Sequence, residues 1–416
     1  MRAARRRTTA AAAVVLSATL ASVVLAGCAG GAGGHSRSAA GTATGPAVTA
    51  RTASPTVPTA RPASPTVPTA SPTPTTDPVE AYARQRLSNL TLRQKVAGLF
   101  MLHAPGTDAA ALRGFVDRYG LGGMILMGDN IPATPAELAA QTAMMKASDP
   151  DLPPLIGVDE EGGDVTRLGW DDQPGAETLR RLDPAATRAA FARRAELLHQ
   201  AGISVNFGTV ADVTADPASF IADRVLGTDP AGAAAHVAAS VTGERGSVLS
   251  TLKHFPGHGE TEADSHHSVP ATSLSKQDWS VRDAPPFRAG IDAGAELVMF
   301  GHLAYTQVDA APASLSPAWH RILTDELGFR GVSITDDLRM LQDTGLPQYQ
   351  DPGENAVQAI AAGNTMVLEV QSSGTDPEAL IDAVVAAVQQ GRIPLAQVDA
   401  DALKLLRLRH SLAAGE

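Results

Sequence analysis

The chain has 416 residues, a formal charge of −11 and one cysteine. Removing residues 1–27, which hold four arginines and no acids, takes that charge to −15 and argues against a nucleic-acid partner. With Cys28 alone, an internal disulfide is excluded in any redox compartment.

In chain order, residues 1–27 read first as a signal peptide. Arg2, Arg5, Arg6 and Arg7 precede an apolar stretch from about Ala10 to Leu25, short for a membrane span and closed by small residues. The stretch LAGC ending at Cys28 resembles a bacterial lipobox. That resemblance implies lipidation of Cys28, an extracytoplasmic location and membrane contact only through the anchor. A plain signal peptide with an incidental cysteine is the alternative. Residues 28–78 are rich in Ala, Gly, Ser, Thr and Pro, and SPTVPTA occurs at 54–60 and again at 64–70. Such a segment cannot bury enough surface to offset its ordering entropy, so it is expected to be a disordered tether.

Residues 79–416 are long enough for one large core. Eight short apolar runs lie at 96–102, 122–127, 154–159, 204–210, 248–255, 296–303, 331–337 and 365–370. Most lack polar alternation, as expected of strands buried on both faces of a parallel sheet. Helical segments separate them. Thr134-Pro135-Ala136-Glu137 forms a capping box, and Asp183-Pro184, Asp229-Pro230 and Asp376-Pro377 repeat the start signal. The α/β class follows, with a single (β/α)8 TIM-type barrel as the predicted fold and an open doubly wound sheet as the runner-up. No glycine-rich phosphate loop follows any strand, and no cofactor is expected.

A barrel places its chemistry at the C-terminal strand ends. Those ends carry Asp159 and Glu160, then Lys253 and His254, then His302, then Asp336 and Asp337. The fifth end opens into KHFPGHGETEADSHHSVP, residues 253–270, which contains four of the eleven histidines. A metal site is disfavoured: Pro256 and Gly257 break any helix between His254 and His258, and HExxH is absent. Proton transfer fits better. Asp264 stands two residues before His266, and in an extended segment the two side chains share a face. The carboxylate can then hold one ring nitrogen and leave the other for a leaving group. A solvated loop is the plainer alternative for that tripeptide.

Residues 253–270 resemble the signature of family 3 glycoside hydrolases of the β-N-acetylglucosaminidase type, KHFPGHGxxxxDSH. VDEEGGDVTRL (158–168), ADRVLGTD (222–229), PASLSP (312–317) and SITDDLRM (333–340) match further motifs of that family, in its order, across roughly residues 85 to 410. The resemblance implies a retaining exo-β-N-acetylglucosaminidase acting on peptidoglycan fragments or chitooligosaccharides. Asp336 is implied as the nucleophile and Asp264 with His266 as the acid/base dyad. Asp159, Arg224, Lys253 and His254 are implied to hold the sugar hydroxyls. Arg167 is a further implied sugar contact, with a structural ion pair as its alternative. His258 is expected to shape the loop and Asp337 to support the seventh strand. An imidazole adds no negative charge, so phosphate stays open as acceptor beside water.

Three departures stand out. Asp164 replaces a family arginine, Val225-Leu226 replaces Ser-Phe, and His267 follows the dyad. A β-glucosidase or mixed hexosaminidase/glucosidase is the alternative activity, and a sugar-binding lipoprotein without turnover is the rival from another class. A carbohydrate is the expected partner. Oligomeric state is left open by the sequence, with a monomer favoured.

Overall fold

A computed structural model describes residues 77–261, 263–370 and 375–415. The expected signal peptide, the tether and Cys28 lie outside these residues, apart from Asp77 and Pro78. Pro78 opens the first helix (Pro78–Asn89), capped by the Asp77 carboxylate.

Eight parallel strands form the core: β1 (Phe100–Leu102), β2 (Gly123–Leu126), β3 (Leu155–Val158), β4 (Val205–Val210), β5 (Leu249–Phe255), β6 (Leu297–Phe300), β7 (Val332–Thr335) and β8 (Val367–Glu369). Each falls within one of the eight apolar runs. Hydrogen bonding runs β8-β1-β2-β3-β4-β5-β6-β7. The ends of that row meet through a parallel bridge between Ile334 and Met366, with Met366 N–H donating to Ser333 O at 2.9 Å. The result is a nearly closed eight-stranded parallel barrel, and the open doubly wound sheet is set aside. Every residue of the eight strands is buried. That explains the missing polar alternation: helices cover the outer face and side chains fill the inner one.

The helix starts follow local chemistry. Thr134 and Glu137 form the reciprocal box at the head of Pro135–Lys146. Asp183, Asp229 and Asp376 accept backbone N–H bonds at the heads of Pro184–Gln200, Pro230–Glu244 and Pro377–Gln389. Each satisfies donors that a helix start would leave unpaired.

The segment after β5 is anchored from below. Phe255 packs edge-on against Trp279, Phe287, Phe300 and Trp319, with ring centres 5.0–6.0 Å apart. Trp279 Nε1 donates to Pro256 O at 2.8 Å and Tyr305 Oη to Gly257 O at 2.7 Å. Farther on, Ala271–Thr272 pairs in parallel with Ala304–Tyr305 and returns the chain to the barrel wall.

Candidate active site

One cavity of about 260 Å³ opens at the C-terminal ends of the strands. It is small for a ligand pocket. Asp159, Arg167, Arg224, Lys253, His254, His266 and Asp336 all line it. The strand-end rule therefore brings together side chains from four separate crossovers. Asp264 reaches the cavity through His266.

Asp336 follows β7. Its N–H donates to Phe300 O at 2.9 Å, and its carboxylate accepts the Asp337 N–H at 2.8 Å. Burial pushes this carboxyl up. His254, His302, the Asp337 N–H and Lys253 pull it down further, to about 2. It is a half-buried carboxylate held ionised. Its neighbour is the reverse case. Burial raises Asp337 to about 8, despite N–H bonds from Arg339 at 3.0 Å and Val370 at 2.9 Å. Asp337 thereby ties the end of β7 to the end of β8, the supporting part expected of it. His302 is buried beside them. Its Nε2 donates to Asp337 O at 2.9 Å, so its Nδ1 accepts from Ser314 Oγ at 2.7 Å.

Lys253 is clamped between two acids: Nζ lies 2.8 Å from Asp159 Oδ1 and 2.6 Å from Glu161 Oε1. Arg224 meets Glu161 in a two-pronged pair at 2.9 and 2.7 Å. Burial raises the Glu161 carboxyl, but Lys253 and Arg224 bring it to about 2. Arg167 Nη2 stands 3.6 Å from Asp159 Oδ2. It lines the cavity and is half of a loose ion pair.

The loop after β3 explains VDEEGGDVTRL. Glu160 Oε2 accepts N–H bonds from Arg167 and Leu168 at 2.8 and 2.9 Å, which turns Arg167 inward. Gly162 takes φ +82°, and a Cβ there would lie 2.1 Å from Arg194 Nη2. Asp164, the departure from the family arginine, is exposed and outside the cavity lining. Val225 and Leu226 are buried, and Val225 packs with Val210 and Ile221. His267 is exposed and likewise outside the lining.

Asp264 and His266 do meet, but not as expected. Residues 265–267 form a turn, not an extended segment. Asp264 Oδ1 accepts the His266 N–H at 2.9 Å and faces His266 Nδ1 at 2.6 Å. An Asx-type turn, rather than strand alternation, brings carboxylate and ring together. Hydrogen bonds from the His266 N–H and ring draw the Asp264 carboxyl down against its burial. The pair is open to solvent, with side chains 56% and 37% exposed for His266 and Asp264.

The ring centres of His254 and His258 are 6.2 Å apart at 85°, and both residues are held by Asp212. Among the described residues, no three His, Cys, Asp or Glu side chains are grouped to hold a metal ion. Gly259 is fixed by close approach: a Cβ would lie 1.8 Å from Val213 O.

Sequence reasoning missed Glu161 and Asp212. Glu161 was within a quoted motif, yet its pairing with two cations from other crossovers is a tertiary fact. Asp212 follows β4, so the strand-end rule, applied to the fourth strand, would have found it.

The glycosyl hydrolase family 3 N-terminal domain model matches residues 91–408. The chain belongs to glycosyl hydrolase family 3. It is a glycoside hydrolase on that ground. A β-hexosaminidase from Stenotrophomonas maltophilia is 34% identical over 254 residues, 58% of this chain and 75% of the relative. One from Vibrio cholerae is 33% identical over 284 residues, 65% of this chain and 81% of the relative. Among solved structures, a family 3 β-N-acetylglucosaminidase from Paenibacillus sp. str. FPU-7 superposes with a TM-score of 0.72 at 33% identity. That match covers 78% of this chain and 63% of that longer protein. A β-N-acetylhexosaminidase from Beutenbergia cavernae gives 0.68 at 31% identity, covering 79% of this chain and 99% of the other.

Proposed function

We propose that this family 3 hydrolase is a retaining exo-β-N-acetylglucosaminidase. Its substrates are terminal β-linked N-acetylglucosaminides of peptidoglycan fragments or chitooligosaccharides. One observation carries the reading: a half-buried Asp336 held ionised and the Asp264-bound His266 open on a single cavity at the strand ends. The relatives' β-hexosaminidase activity supports the same substrate class.

In this scheme Asp336 attacks the anomeric carbon while the bond from that carbon to the departing oxygen breaks. His266 gives its Nε2 proton to that oxygen. The glycosyl unit is then esterified to Asp336. Next, His266 takes a proton from water, the hydroxide attacks the same carbon, and the Asp336 carboxylate leaves. Asp264 holds Nδ1 and so aims Nε2 at the bond. Asp159, Arg224, Lys253 and His254 hold the ring hydroxyls, and Arg167 closes the same wall. Unpaired buried charges would penalise a sugar lacking the matching hydroxyl.

The first 27 residues are proposed as an export signal, Cys28 as the lipid-bearing residue, and residues 28–78 as a tether holding the catalytic domain outside the cytoplasmic membrane. Release of an aryl alcohol from its β-N-acetylglucosaminide, against the matching glucoside, tests the activity. Faster turnover of the glucoside would reassign the substrate, and no turnover of either would favour a binding protein.

A further inference from the structure

Asp212 follows β4 and is fully buried. It touches no cavity surface, yet it holds the beginning of the loop after β5 at three points. Its Oδ2 faces His254 Nδ1 at 2.7 Å, its Oδ1 accepts the His258 N–H at 2.7 Å, and the His254 N–H reaches both oxygens at 3.2 and 3.3 Å. Burial raises this carboxyl, but His254 and His258 draw it below its ordinary value, so it is an anion that can only accept. The shared proton must then sit on His254 Nδ1. His254 Nε2 has no protein partner among the described residues, and His254 lines the cavity.

We propose that Asp212 is a positioning residue that fixes the His254 ring through Nδ1, so that Nε2 is aimed at a sugar hydroxyl. This rests on reading the cavity as the sugar site. A ring freed from Asp212 can rotate about its side-chain bonds, and Nε2 would then miss the hydroxyl. The charged and titratable groups around His254 are Asp212 behind it, His258 beside it, and Asp336, His302 and Lys253 across the cavity floor. The same carboxylate explains the His254–His258 spacing: the chain folds once around one anion.

The experiment is a double-substitution cycle on kcat/KM for an aryl β-N-acetylglucosaminide, using wild type, Asp212→Asn, His254→Ala and the double variant. Asp212→Asn alone should cost on the order of 100-fold, the scale of a misplaced contact group. In the His254→Ala background the same substitution should cost at least about ten times less, because its route to the sugar is gone. An equal factor in both backgrounds overturns the proposal, since a merely structural carboxylate acts whether or not His254 is present. Asp212→Glu should regain activity over Asp212→Asn. A second measurement needs no variant: ring-nitrogen NMR of the wild-type protein should report a proton on His254 Nδ1, with Nε2 shifting on addition of N-acetylglucosamine. The opposite tautomer overturns the assignment even if the cycle is spoiled by misfolding. Failure of the functional reading looks different: wild type would then neither turn over the aryl sugar nor bind N-acetylglucosamine.

Discussion

The floor of the cavity and the loop on its rim are built by opposite means. On the floor, Asp336, Lys253, Glu161 and Arg224 come from different crossovers, are largely buried, and hold one another through charge. On the rim, Asp264 and His266 are two residues apart, exposed, and held by one local turn. The floor is therefore as rigid as the barrel. The rim can change its relation to the floor without breaking the dyad. The proposed retaining mechanism would suit this division: the sugar would stay fixed through two steps, while His266 would serve first a departing alcohol and then an arriving water.

The largest expected effect lies on the floor. Asp336→Asn should lower kcat by at least about 1,000-fold for every leaving group, since the covalent step is lost. Activity within tenfold of wild type would break the comparison, because the floor would then hold no reacting group. Next comes the rim. His266→Ala should cost about 100- to 10,000-fold with a poor leaving group and far less with an acidic phenol that departs unprotonated. A uniform loss across leaving groups would move His266 from proton transfer to structure.

A third substitution probes rigidity rather than chemistry. Glu161→Gln leaves Lys253 and Arg224 without their shared buried partner, which should cost about 3–5 kcal/mol of stability in urea denaturation. The sign with pH follows from the carboxyl's depressed value of about 2. Its contribution is present above the ordinary glutamate range and is lost as pH falls toward 2, so the gap between wild type and variant should be level at neutral pH and close in acid. A gap that widens in acid would contradict the ion-pair account. The smallest effect belongs to Asp164→Arg. That side chain is exposed and off the cavity, so kcat/KM should change by less than about threefold.

Legibility in the sequence divides along the same line. All eight strands lie where apolar runs predicted them, because burial on both faces leaves an unbroken signal. Asp159, Lys253, His254 and Asp336 were legible because a parallel barrel gathers its strand ends. The Glu161 and Asp212 contacts were not, since pairing between crossovers has no sequence period. The Asp264–His266 contact was expected for a reason that the fold corrects: alternation along a strand was expected, and a turn makes the contact instead. Asp164 shows the opposite limit. A reversed charge inside a motif suggested an altered subsite, whereas the loop fixed by Glu160 and Gly162 turns Arg167 inward and leaves Asp164 outside.

The most direct measurement traps the glycosyl-enzyme. A fluorinated N-acetylglucosaminyl fluoride reacts quickly in the first step and slowly in the second, so the ester accumulates for intact-mass and peptide analysis. One sugar per chain, on the peptide containing Asp336, is the predicted result. A label on another residue, or turnover of the natural bond with no label at all, would contradict the account.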